Sequence, residues 1–188
     1  MKKCTVLFLV FFIIFQNAFS EDLFSFSGGI QSGFTFYGDK NIKSQNDEID
    51  GTNILIGALA NFNINPFKQV SFFVGADFLC DFLTQNNFYS NHLHLDFPFG
   101  IKIYPGLGGL SFGLAYTFGL RYDFVNTQSD NYKNITPWGN GTKILLEYNF
   151  AHSGKSKFLP TFGCSWKILP RGNNTYDNII SAFAMLNF

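Results

Sequence analysis

From residue 24 onward the chain alternates. In the first segment Phe24, Phe26, Ile30, Phe34 and Phe36 share one parity, while Ser25, Ser27, Gln31 and Thr35 take the other. Apolar and polar positions that swap at every residue mark a strand with two unlike faces. The pattern recurs eight times. The second segment sets Ile54, Ile56, Phe62 and Ile64 against Asn53, Asn61 and Asn63, and the third sets Val70, Phe72, Val74, Phe78 and Phe82 against Ser71, Asp77 and Asp81. The fourth runs from Leu93 to Ile103 and the fifth takes the even positions from Leu110 to Phe124. The last three carry Ile144, Leu146 and Tyr148, then Phe162, Cys164, Trp166 and Ile168, then Ile180, Ala184, Leu186 and Phe188. Short connections at 65–68, 105–109 and 151–156 alternate with longer polar ones at 38–50, 83–91, 125–137 and 170–177. An even strand number, with short turns on one rim and long loops on the other, predicts an all-β fold: an eight-stranded antiparallel up-and-down barrel. The sixth segment is the irregular one. Its outward parity puts Asn140 and Thr142 where lipid would be, so the strand either rises above the membrane there or contains a bulge.

Two quantities decide which face is inside. The apolar parity carries seventeen phenylalanines and the other only Phe73 and Phe183. An eight-stranded interior is just wide enough for side chains to fill, so it cannot take the first set. The second quantity is charge. Asp77, Asp81, Asp96, Lys102, Arg121, Asp123, Lys143, Glu147, Lys157 and Lys167 all fall on the non-phenylalanine face. A charge on the lipid face at mid-depth costs about 2–4 kcal/mol. The apolar face therefore reads as facing lipid and the polar face as lining a lumen, which makes this a transmembrane barrel.

The start of the chain fits that placement. Lys2 and Lys3 precede an unbroken apolar run from Val6 to Phe15, and small residues end it at Ala18 and Ser20. This is the pattern of a secretory signal peptide over residues 1–20, cleaved after Ser20, followed by a barrel domain over 21–188. Cys4 precedes the apolar run, whereas a lipid-modified cysteine follows it. Cys80 and Cys164 lie on non-adjacent strands of the apolar face and are expected as free thiols. Charged residues make up 14% of the chain and the formal net charge is zero, with no basic stripe to meet phosphate, so nucleic acid is not an expected partner. No phosphate-cradling loop or zinc-finger spacing is present, and no cofactor is expected.

The chain ends Ala184-Met185-Leu186-Asn187-Phe188. A terminal Phe closing an alternating strand resembles the assembly signal of Gram-negative outer-membrane proteins. With eight strands and a signal peptide, the chain resembles the small outer-membrane barrels of the OmpA, OmpX and OmpW kind. The resemblance implies an outer-membrane location, membrane lipid and the barrel assembly machinery as partners, and Phe188 as the assembly signal. It is architectural and carries over no functional residue.

The lumen charges, five acids and five bases with His92 and His94 among them, are expected to pair as a polar plug. Strand order places Asp77 beside Asp96 and His94 beside Arg121, so Asp77, Asp96 and Arg121 are expected as mutual neighbours. Ser90, His92, His94 and Asp96 share one face at i, i+2 spacing, which could hold a metal through the two histidines or act as a Ser–His–Asp set; satisfied lumen histidines are the preferred reading. The expected function is a non-enzymatic scaffold. It would show environmental or host ligands four loops, 38–50, 83–91, 125–137 and 170–177. The alternatives are a narrow channel for small solutes and a lipid-modifying barrel enzyme.

Overall fold

A computed structural model describes residues 23–49, 51–153, 158–170 and 175–188. The proposed signal peptide, its cleavage after Ser20, and Lys157 lie outside the described residues. The strands are β1 (Phe24–Phe36), β2 (Thr52–Phe67), β3 (Val70–Gln85), β4 (Phe88–Ile103), β5 (Leu110–Asn126), β6 (Asn131–Ile135), β7 (Gly139–Asn149), β8 (Pro160–Pro170) and β9 (Tyr176–Asn187). Among the described residues two helices interrupt them, α1 (Lys40–Glu48) and α2 (Phe150–Ser153). Each strand of the wall pairs antiparallel with its neighbour, β1 also pairs with β9, and β4 with β5, so eight strands close on themselves. β6 adds to the outer end of β5 beyond the point where β7 takes over as partner.

Alternation places the side chains as expected. Phe34, Ile30 and Phe158 are among the outward apolar groups, 72%, 66% and 71% exposed. Such a continuous apolar surface is far more than a soluble monomer shows to water. Among the described residues no helix is long and apolar enough to cross a membrane; the strands supply the apolar belt. Asn140 and Thr142 do point outward, and β7 pairs with β5 without a register shift. There is no bulge. The aromatic rings of Phe97, Phe118 and Trp138 gather beside them, with centroids 5.5–6.1 Å apart.

Three of the four expected loops take a different form. Residues 83–91 are not a long loop: β3 and β4 run on to Gln85 and Phe88 and turn through Asn86, whose φ of 53° is the left-handed conformation that Asn tolerates. Residues 125–137 contain β6, and 38–50 contain α1. Asp39 caps that helix by accepting from the Asn41 amide at 2.9 Å. The strands β2 to β5 are 16 or 17 residues long, whereas about 9–11 cross a membrane. Together with β6 they raise one side of the wall well beyond the other at the loop end.

Inside, two apolar layers alternate with charged ones. Leu55, Leu79, Leu169 and Ile179 form the layer nearer the loops. Leu59, Phe73, Ala115, Leu145, Phe183 and Met185 form the one nearer the short turns. The two inward phenylalanines fit because small partners face them. A Cβ on Gly163, the cross-strand partner of Phe183, would lie 2.5 Å from the ring. Phe188 sits at the seam, where its amide donates to the Phe26 carbonyl at 2.8 Å and its carbonyl accepts from the Phe26 amide at 3.3 Å. Cys80 and Cys164 are free thiols on the outward face.

Candidate functional site: the lumen and its outer mouth

The charged side chains named from the sequence, Lys157 apart, all lie inside the barrel and are buried. They fall into three groups. At the level of the short turns Lys102 pairs with Glu147 at 2.9 Å. In the middle, Lys143 donates to Asp77 at 2.6 Å, and Lys167 bridges Asp77 and Asp96 at 3.2 Å to each. The two acids face each other across β3 and β4 as the register predicts. Their counter-charges come from β7 and β8 on the opposite wall.

The third group lies nearest the loops and corrects one expectation. Arg121 is cross-strand to His94 as expected, but its guanidinium does not reach Asp77 or Asp96. It binds Asp123 through Nε at 2.6 Å and pairs with Asp177 through Nη1. The side chain leans along β5 toward the loop end, where two carboxylates already lie, while the lysines of the far wall satisfy the lower pair. Asp177 lies outside the expected lumen set, since the sequence pattern assigns it to the 170–177 connection, whereas it is part of β9. Its parity with Ile179, Ser181 and Phe183 was the signal that it belongs inside. Tyr37 completes the group: its hydroxyl donates to Asp81 at 2.6 Å, and its ring packs on His92 at 4.7 Å and on the Arg121 guanidinium at 5.2 Å.

Ser90, His92 and Asp123 form a hydrogen-bonded relay. Ser90 Oγ is 2.9 Å from His92 Nε2, and His92 Nδ1 is 2.7 Å from Asp123 Oδ1. Asp96, the acid first considered for such a set, is engaged with Lys167 instead. The order of atoms is that of a serine hydrolase, but Ser90 is 0% exposed and its Oγ is closed to solvent. The relay ties β4 to β5 and orients Asp123 toward Arg121. Among the described residues no three His, Cys, Asp or Glu groups gather as a metal cage.

Above the lumen, α1 lies across the loop end with Ile42 and Gln45 buried. Its residues Asn41, Ser44, Gln45 and Glu48, at i, i+3, i+4 and i+7, form one helical face. That face meets the turn between β5 and β6. Gln45 donates to Asp130 at 2.7 Å and accepts from the Tyr132 hydroxyl at 2.9 Å, and Ser129 donates to Glu48 at 2.8 Å. Burial raises the Tyr132 phenol above its ordinary range. Between helix and turn is a cleft of about 350 Å³ lined by Asn41, Ser44, Gln45, Glu48, Ser129, Asp130 and Tyr132. The polar pattern of 38–50 predicts a loop here, and the structure has a helix. The Asp39 cap and the spacing of Ile42 and Ile49 were the signs of a helix.

No protein-family model matches the chain, and no curated protein matches it in sequence. Solved structures do resemble it in three dimensions. Ail, the attachment invasion locus protein of Yersinia pestis, crystallised with the heparin analogue sucrose octasulfate, superposes with a TM-score of 0.55 at 9% identity, over 88% of this chain and 97% of Ail. A second Ail structure gives 0.53 at 10% identity with the same coverage. The N-terminal β-barrel domain of Pseudomonas aeruginosa OprF gives 0.43 at 11% identity, over 89% and 98% of the two chains. The fold is that of a small eight-stranded outer-membrane β-barrel.

Proposed function

We propose that this protein resides in the outer membrane as a non-conducting, non-enzymatic scaffold whose raised loop end meets ligands outside the cell. The observation that carries the reading is the filled lumen. Two apolar layers and three sets of ion pairs are stacked along it, and Asp77, Asp96 and Lys167 are each 0% exposed. A conducting pore needs a hydrated path with sites that ions can enter and leave. Paired and buried charges supply neither, which favours the scaffold over the channel. The sealed Ser90 likewise favours it over a lipid-modifying enzyme. Phe188 serves as the assembly signal in this reading, and the start of β1 and the end of β9 face the periplasm, since eight strands begin and end on one rim.

The surface that remains for ligands is the loop end: α1, the β5–β6 hairpin and the raised strands, with the tight Asn86 turn in place of an expected loop. The capture of a saccharide analogue by a barrel of the same fold supports this use of the scaffold, while the ligand itself does not carry across at 9% identity. An epitope inserted within 38–49 should label on intact cells, and one inserted within 151–156 should label only after the outer membrane is opened. The opposite pattern would invert the topology and remove the reading.

A further inference from the structure

We infer that the cleft between α1 and the β5–β6 turn is a saccharide site that takes hydroxyl-rich sugars without acidic substituents, most favourably ones carrying an amine. The inference rests on the reading of the loop end as a ligand surface and names the ligand class. Every side chain lining the cleft is polar: two amides (Asn41, Gln45), three hydroxyls (Ser44, Ser129, Tyr132) and two carboxylates (Glu48, Asp130). A ligand with apolar bulk would cover the Asn41 amide, the Ser44 hydroxyl and the spare lone pairs of the two carboxylates without giving them partners, which is costly. A sugar ring presents hydroxyls at the spacing of such donors and acceptors. The volume of about 350 Å³ lies at the small end of ligand pockets, the scale of one or two sugar units.

Charge narrows the class. Among the described residues the lining has two carboxylates and no basic side chain, so it accepts hydrogen bonds from hydroxyls or an ammonium and repels sulfate, phosphate and carboxylate. This is the reverse of what a sulfated saccharide needs. The walls are also held in place before any ligand arrives. Thr127 accepts from the Asp130 amide at 3.1 Å and its own amide donates to the Asp130 carbonyl at 2.8 Å, which closes the turn on itself. The bonds from Gln45 and Glu48 fix the helix against that turn, and the Asn41 amide and Ser44 hydroxyl take no part in those bonds. Walls ordered in advance lower the entropic cost of binding.

The test is calorimetric titration of the purified barrel in detergent with three probes: a glucosamine trisaccharide, a neutral glucose trisaccharide and sucrose octasulfate. Saturable binding is expected for the first, weaker binding for the second and none for the third. Glu48→Gln with Asp130→Asn keeps the hydrogen bonds that dock the helix and removes both charges; it should weaken the amine-bearing probe by about tenfold or more, the scale of a lost charge-assisted hydrogen bond, and leave the neutral probe nearly unchanged. Asn41→Ala with Ser44→Ala, which leaves the helix contacts intact, should weaken both. Absence of saturable binding by either unsulfated probe, equal binding by the octasulfate, or indifference to both double variants would overturn the assignment. Because the assay uses purified protein, such a result leaves the cell-surface topology standing, and a failed surface label leaves the cleft chemistry standing.

Discussion

The interior of this barrel and its outer mouth use the same residue types to opposite ends. In the lumen, Asp77, Asp96, Lys143 and Lys167 are fully enclosed and bind each other, so their polarity is consumed in holding the wall together. At the mouth, Glu48, Asp130 and Ser129 are exposed, and the bonds from Ser129 to Glu48 and from Gln45 to Asp130 leave a polar cleft open to solvent. Taking two charges out of water costs several kcal/mol per ion, offset only by close partners and good geometry. Exposed pairs cost little and stabilise little. The lumen groups are therefore committed to the fold, and those at the mouth remain available to a ligand.

The largest effect should come from breaking the committed side. Arg121→Ala leaves Asp123 and Asp177 buried without their shared counter-charge, a loss of about 3–5 kcal/mol, read as a lower urea midpoint in detergent. Adding Asp177→Asn should recover part of it. Adding Asp77→Asn should recover none, since Asp77 answers to Lys143 and Lys167; recovery there instead would mean that the two lumen groups are one network. The non-additivity of the double variant measures the coupling, apart from simple truncation.

Deleting Phe188 acts at the seam. It removes an outward ring worth about 1.5–3 kcal/mol together with its paired backbone bonds to Phe26. The midpoint should fall modestly, while the amount reaching the outer membrane should fall sharply if Phe188 is the assembly signal. A membrane level matching the intact chain would confine Phe188 to packing. The smallest effect belongs to the mouth. Gln45→Ala removes the bonds to Asp130 and Tyr132, worth about 0.5–1.5 kcal/mol each, and these link the helix to the hairpin, not strand to strand. Protease cleavage within 40–48 should speed up with the barrel midpoint unchanged. A midpoint shift as large as that of Arg121→Ala would show that the mouth is part of the folding core.

What was legible in the sequence follows the same division. Period-two alternation ties each side chain to a face, so the strands, the inward placement of His92, Lys102 and Glu147, and the Asp77–Asp96 juxtaposition could be read directly. Contacts across the lumen could not. Lys143 and Lys167 reach Asp77 from strands three and four places around the wall, and which inward side chain meets which depends on barrel tilt and side-chain lean, neither of which alternation encodes. For that reason strand order alone points Arg121 at Asp77 and Asp96, whereas it binds Asp123 and Asp177. At the loop end the polar composition hid α1, β6 and the Asn86 turn. The signals there are caps and turn residues only a few positions long.

The central claim is that the lumen is a packed core and not a path. Single-channel recording of the purified protein in planar bilayers tests it most directly. The enclosed ion pairs and the two apolar layers predict a silent bilayer at either polarity, for the intact chain and for the Glu48→Gln and Asp130→Asn variant alike. Reproducible conductance steps from the intact protein, abolished by a substitution at Asp77 or Lys167, would contradict it.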